Sequence, residues 1–141
     1  MEPAAPAQPK FQRLEADERR RAMISATVDC LARLGPKATS VREICKQAGV
    51  SPGLLRHYFA GKDDLFVQTY RWLTDSFMAG MQACLVEAEA PAQKRLEDFF
   101  EFCFSPEWIS EDVLGVWIAF WSLNKSSPEI EAIHRAFYQA H

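Results

Sequence analysis

The segment from Ser40 to Lys62 constrains this chain more than any other, because it specifies two short helices with almost no chain between them. Ser40-Val41-Arg42-Glu43 has the form of a capping box, in which the serine oxygen accepts an amide proton of the first turn and the glutamate reaches back to the cap. The helix so begun runs through Ile44 and Cys45 to Ala48, and Gly49 is suited to the left-handed backbone that ends it. Ser51 caps a second helix whose first position is Pro52, where a missing N–H costs nothing. That helix carries Leu54, Leu55, Tyr58 and Phe59 and ends near Gly61. Helices joined by so tight a turn cross steeply, and the second projects as a ridge that fits a major groove. Ile44, Ala48, Val50 and Leu55 are the expected small core that fixes the angle.

Helical periodicity extends in both directions. Upstream, Ile24, Val28, Leu31 and Leu34 recur on one face, with Asp17 as the expected N-cap and Gly35-Pro36 as the stop. Residues 1–14, with prolines at 3, 6 and 9, read as a disordered leader. Downstream, residues from Asp63 to Glu87 form an amphipathic helix with Phe66, Tyr70, Leu73, Phe77 and Met81 on one stripe, and Asp63 and Asp64 favour its positive end. Pro91 opens a fifth helix with Leu96, Phe99, Phe100 and Cys103 on one face, and Ser105-Pro106 closes it. Ser110-Glu111-Asp112 starts a sixth, apolar all round from Val113 to Trp121 and so expected to be buried on every side. Ser127-Pro128 starts a last one, carrying Ile130, Ile133 and Phe137, which reaches His141 without a glycine or proline to end it, so the chain looks cut short. No alternating stretch persists. The expected fold class is all-α: a three-helix helix-turn-helix DNA-binding head over residues 15–62 and a helical body over 63–141.

Charge divides the chain at the same place. Residues 1–62 hold 11 Lys/Arg against 6 Asp/Glu, and residues 63–141 hold 5 against 13, so the net charge of −3 conceals a basic head and an acidic body. Such a balance suits a phosphate-contacting module joined to a different function, though two solvated faces with drifting charge would show it too. Pro52, Gly53, Leu54, Arg56 and Tyr58 are expected to face outward, with His57 and Lys62 toward the flanks. Arg56 can pair its donors with a guanine edge or hold a phosphate, Gly53 permits close backbone approach, and Leu54 offers an apolar surface to a thymine methyl. Ser40 and Lys62 stand at helix N-termini, where amide protons and dipole favour phosphate, and Arg42 is grouped with them. Arg19, Arg20 and Arg21 are placed in the first turn of the first helix, where an external anion would relieve their opposition to the dipole.

Other chemistries find less support. His57, His134 and His141 have no nucleophile or carboxylate at a recognisable spacing and there is no glycine-rich phosphate loop, so no catalytic residue is assigned and the chain does not read as an enzyme. Cys30, Cys45, Cys84 and Cys103 are widely spaced within apolar stretches and read as buried hydrophobes in a reducing compartment, with no metal and no cofactor implied. No leader with an apolar h-region opens the chain and no apolar run is long enough to span a bilayer, so a cytoplasmic protein without membrane contact is expected.

The run Thr39-Ser40-Val41-Arg42-Glu43-Ile44, then Ala48-Gly49-Val50-Ser51-Pro52-Gly53-Leu54-Leu55-Arg56-His57-Tyr58-Phe59-Ala60-Gly61-Lys62-Asp63-Asp64-Leu65, resembles the N-terminal signature of the tetracycline-repressor (TetR) family of bacterial regulators over roughly residues 17–66. The resemblance implies helices one to three as the reading head, helix four as a lever, and a variable body that binds a small effector and forms a homodimer on double-stranded operator DNA. Arg56 stands where many members carry a tyrosine, so the operator sequence does not carry over. Ser51 to Phe59 and Val116-Trp117-Ile118-Ala119-Phe120-Trp121 are similar to one branch, the choline-sensing repressors of glycine betaine synthesis. A different hydrophobic or cationic effector, or a shortened chain that acts by pairing with a full-length relative, stays open beside that reading.

An aromatic set gives the choline resemblance a chemical basis. Trp117 and Trp121 lie four residues apart on one helix, and Trp72, Phe99, Phe100 and Phe104 come from helices expected to pack beside it. Indole faces attract a quaternary ammonium by about 0.5–2 kcal/mol each. Trp72, Phe100, Trp117 and Trp121 are therefore the expected ligand-binding residues, with simple core packing as the competing explanation and no carboxylate assignable to the pocket. Choline is expected to lower operator affinity by spoiling the spacing of about 34–36 Å between the two recognition helices.

Overall fold

The computed structural model describes residues 10–85 and 90–139, with side chains from residue 15 onward. Its elements in chain order are α1 (Lys10–Ala38), α2 (Val41–Ala48), α3 (Pro52–Tyr58), α4 (Lys62–Leu85), α5 (Ala92–Cys103), α6 (Pro106–Ile109), α7 (Glu111–Leu123) and α8 (Pro128–Gln139). Helices alone, and no strand, occur among the described residues, as the all-α expectation requires.

Helix α1 starts at Lys10, well before Asp17, so Asp17 is an interior residue and not a cap. Lys10 to Ala16 contains neither glycine nor proline, and mostly good helix formers, so nothing stops propagation upstream. Of the expected leader, residues 10–14 are thus helical and residues 1–9 lie outside the described residues. Arg19, Arg20 and Arg21 consequently sit in mid-helix, where the dipole argument for them lapses. The stop at Gly35 is real: with φ 72° and ψ 172° it interrupts the helix, and Thr39 closes the short turn that follows by donating its N–H (3.1 Å) and hydroxyl (2.7 Å) to the Gly35 carbonyl. The buried stripe is Met23, Ile24, Thr27, Cys30 and Leu31, with Val28 and Leu34 only half-buried. Thr27 tolerates full burial because its hydroxyl donates to the Met23 carbonyl at 2.8 Å.

Helix α4 presents Leu65, Phe66, Tyr70 and Leu73 as a buried stripe that ends on half-buried Phe77. At 1.5 Å per residue its 24 residues extend about 36 Å. It packs against α1, α5 and α8, while α1 packs against α2 and α7. A continuous apolar core therefore runs from Ile44, Leu55 and Phe59 in the head, through Leu65, Phe66 and Tyr70, to Val116, Phe120 and Ile130 in the body. Each such large side chain contributes about 1.5–3 kcal/mol on full burial.

The body departs from the sequence reading in three places. Helix α5 buries no residue fully: Leu96, Phe100 and Phe104 form an exposed stripe, and Phe99, Phe102 and Cys103 are the half-buried ones. Phe102 takes the inward place because α4 offers it Gly80, where a Cβ would lie 2.3 Å from the far edge of the ring. Ser105-Pro106 does not merely close α5 but starts α6, a single turn that buries Trp108. Finally, α7 is not buried all round: Val116, Trp117, Ala119 and Phe120 face the core, whereas Leu114, Ile118 and Trp121 are exposed.

Candidate functional site

The head holds its second short helix by local chemistry. Ser40 has extended backbone and its oxygen accepts the Glu43 N–H at 3.2 Å, which leaves the serine's own O–H to donate outward. Gly49, at φ 67° and ψ 33°, ends α2 in the left-handed region and brings the Val50 N–H to the Cys45 carbonyl at 3.0 Å. Two residues later the Ser51 oxygen accepts the Leu54 N–H at 3.1 Å, and Pro52 occupies the first helical position. Leu55 is 0 % exposed against buried Ile44 and the half-buried Ala48 and Val50, the small core that the sequence specifies.

Periodicity then fixes what α3 shows to the outside. Pro52, Gly53, Arg56 and His57 are exposed and form one stripe, while Leu54 and Tyr58 are half-buried and packed against the core. Leu54 and Tyr58 flank Leu55 and share its inward turn, so the outward reading of these two is corrected, and His57 moves from the flank to the exposed face. The helix ends at Tyr58; Phe59 adopts extended backbone, φ −134° and ψ 139°, which turns its side chain into the core. Arg20 braces this end from α1, with its guanidinium 4.7 Å from the centre of the Phe59 ring and one N–H donating to the Tyr58 carbonyl at 3.4 Å.

The head carries further cations. Arg42 is exposed on the first turn of α2, and Arg21 is exposed on α1. Arg19 is exposed too and reaches Glu15 one turn back at 3.5 Å, a contact of little energetic weight. Lys62 is half-buried: its ammonium donates to the Pro36 carbonyl at 3.0 Å and lies 5.1 Å from the centre of the Phe66 ring. One of its three protons is therefore spent on joining α4 to the end of α1.

In the body, a cavity of about 470 Å³ is lined by Phe77, Cys103, Trp108, Ile109, Leu114, Trp117, Ile118, Trp121, Phe137 and Tyr138. Trp117 and Trp121 meet there as expected. Trp117, 8 % exposed, is at once wall and core, stacked on Phe137 at 5.7 Å and edge-on to Tyr70 and Phe77 at 6.1 Å. Trp121, 47 % exposed, forms the lip. Trp72 and Phe100 are absent from the lining, and both face outward at 42 % and 48 % exposed. Two residues separate Trp72 from Tyr70, about 200° around the helix, which turns it away from the stripe. Phe100 belongs to the outer stripe of α5 and stacks on Phe104. The walls that sequence reading missed are Phe77, Trp108, Phe137 and Tyr138. Trp108 packs edge-on against Phe77 at 4.9 Å and beside Phe102 at 5.7 Å. Among the described residues no carboxylate lines the cavity, which leaves ring faces to meet a ligand.

Behind the cavity, Tyr70 is 0 % exposed and its hydroxyl lies 3.0 Å from Nδ1 of His134. Burial, reinforced by nearby Tyr138, pushes the phenol up to about 12. The histidine thus has a partner that no sequence spacing announces. Cys30 and Cys45 are buried and Cys84 and Cys103 half-buried, all as free thiols. Burial raises Cys30, Cys45 and Cys103 above the ordinary thiol range, so at neutral pH they stay protonated and poorly suited to nucleophilic or ligand roles. No group of three His, Cys, Asp or Glu side chains is placed to hold a metal ion among the described residues, and no described helix is long and apolar enough to cross a membrane.

Residues 23–69 match the bacterial regulatory proteins of the tetR family. The HTH-type transcriptional regulator BetI of Brucella suis biovar 1 is 30% identical over 119 residues, which cover 84% of this chain and 60% of that protein. This chain therefore spans about three fifths of the length of the curated relatives it matches. Among solved structures, a protein of Pseudomonas aeruginosa PAO1 described as a transcriptional regulator is 38% identical with a TM-score of 0.79, over 92% of this chain and 62% of that one. A second, described as a transcriptional regulator of Saccharomonospora viridis and solved in complex with choline, shares the fold at 22% identity and a TM-score of 0.76, over 88% and 64% of the two chains.

Proposed function

Because this chain belongs, through residues 23–69, to the tetR family of bacterial regulatory proteins, we propose that it is a DNA-binding transcriptional repressor whose hold on its operator is weakened by a small effector in the body cavity. The observation that carries this reading is α3, a helix locked from behind by Leu55 and Ser51 with Pro52, Gly53, Arg56 and His57 facing out. Arg56 is the base-reading side chain, and His57 joins it at the groove. Ser40, Arg42 and the free protons of Lys62 hold phosphates on either side, with Arg21 as a further cation. Leu54 and Tyr58 support these contacts from half-buried positions. In a homodimer, two such helices about 34–36 Å apart enter successive major grooves. Binding, and not catalysis, is the chain's role.

Choline is the effector we favour. Six aromatic side chains border the cavity, and each ring face presented to a quaternary ammonium contributes about 0.5–2 kcal/mol. The choline complex of the Saccharomonospora viridis protein supports the choice by likeness of fold. The carboxylate-free lining favours a second reading, a neutral apolar effector of similar size.

The test begins with duplexes selected by this protein from a random-sequence pool. Mobility shifts with choline and with 1-hexanol, beside tryptophan fluorescence titrations, then separate the two effectors. Saturable quenching by choline together with release of the selected duplex is expected. Release by hexanol alone assigns the neutral effector. Recovery of no preferred sequence, with binding that fades with salt as nonspecific contacts do, overturns the regulator reading.

A further inference from the structure

Tyr70 joins three helices at one buried point. Its hydroxyl lies 3.0 Å from His134 Nδ1 on α8. The ring stacks on Phe120 of α7 at 4.6 Å and meets Trp117 at 6.1 Å. Parting the hydroxyl from the imidazole would leave a buried O–H without a partner, at a cost of about 1–3 kcal/mol.

Tyr70 does not line the cavity, yet its partners do or touch what does. Trp117 is a cavity wall, and His134 packs at 4.6 Å on Tyr138, a second wall. A ligand wedged between Trp117 and Tyr138 therefore reaches α4 through Tyr70. Helix α4 can pass the change on, because Leu65 and Phe66, two turns or less from its start, belong to the core shared with the head.

Resting on the effector reading, we infer that Tyr70 is the positioning residue that reports cavity occupancy to the head. The bond from Tyr70 to His134, with the ring against Phe120 and Trp117, holds α4 in one setting. A ligand that draws Tyr138 or Trp117 toward itself disturbs His134 or the Tyr70 ring, and α4 moves to recover a partner for the phenol.

The experiment measures coupling apart from binding. Choline is titrated into the 141-residue protein, followed by tryptophan fluorescence, with and without the selected duplex; the ratio of the two Kd values is the coupling factor, and it is the same factor by which choline weakens DNA binding. For the unmodified protein a ratio of about 5–150 is expected. Tyr70→Phe keeps the ring and should leave choline affinity without DNA within about 3-fold while the ratio falls toward one. His134→Gln, whose amide can still pair with the phenol, should retain most of the ratio. A Tyr70→Phe protein with the original ratio overturns the inference and leaves the effector reading standing. An unmodified protein that responds to neither choline nor hexanol removes both.

Discussion

Replacing Gly80 with alanine tests how closely α4 and α5 are fitted at the wall behind the cavity. The added Cβ would lie 2.3 Å from Cε2 and Cζ of Phe102, whereas carbon atoms at ease stand about 3.5–4.0 Å apart. The ring must therefore retreat by well over 1 Å, roughly the difference between those separations. It has little room, since Phe77 stands 5.4 Å away on one side and Trp108 5.7 Å on another. Overpacking of this kind costs about 1–3 kcal/mol, and alanine in place of glycine inside a helix returns about 1 kcal/mol. The net expectation is a destabilisation of about 1 kcal/mol. In a Phe102→Leu background the ring edge is gone, and the same Gly80→Ala change should stabilise by about 0.5–1 kcal/mol. Urea unfolding followed by far-UV circular dichroism measures all four members of the cycle, with midpoints compared at constant m. Equal gains in stability from Gly80→Ala in both backgrounds would refute the reasoning, because they would mean that the ring moves freely and the close approach constrains nothing.

Two further outcomes follow from the head and from Tyr70. Arg56→Ala should weaken the selected duplex by about 1–3 kcal/mol and relax preference at one position, while Arg42→Ala should weaken all duplexes alike and lower the salt slope by about one; competition shifts at two salt concentrations read both effects. Because burial raises the Tyr70 phenol from about 10 to about 12, its share of stability is intact below pH 10 and is lost as pH rises through 12. By pH 11 the loss should approach about 1.4 kcal/mol, and Tyr70→Phe should remove that part of the alkaline decline in urea midpoint.

The head was legible because its signals are local. A serine cap, a glycine that can turn left-handed and a proline at a first helical position act within four residues, so Ser40, Gly49, Ser51 and Pro52 specify α2, the turn and α3 without reference to distant chain. Which of Leu54 and Tyr58 face outward was less legible, since that depends on how far α3 rolls against α1 and α2. The cavity was legible in part. Trp117 and Trp121 share a helix and a spacing, but a single turn at Pro106 swings Trp108 into the wall, and behind the cavity it is tertiary contact that packs Phe102 inward and leaves Phe100 outside, because Gly80 admits one ring of α5. Ser105-Pro106 could have been read as a start, since Ser51-Pro52 and Ser127-Pro128 have the same form and both open helices. The His134 partner of Tyr70 stands 64 residues away in sequence, beyond the reach of any spacing rule.

The bond from Lys62 to the Pro36 carbonyl has a consequence for how such a molecule can change its habits. On the proposed reading, with α1 and α4 stitched together at that point and Phe66 packed beneath, reader and lever would turn as one body, and a signal from below would arrive as a rotation of the whole and not as a reshaping of α3. The word recognised on DNA would then be written in Pro52, Gly53, Arg56 and His57, and the moment of release in side chains near Tyr70. A new target can be learned by altering the first set while the timing of the response is left as it was.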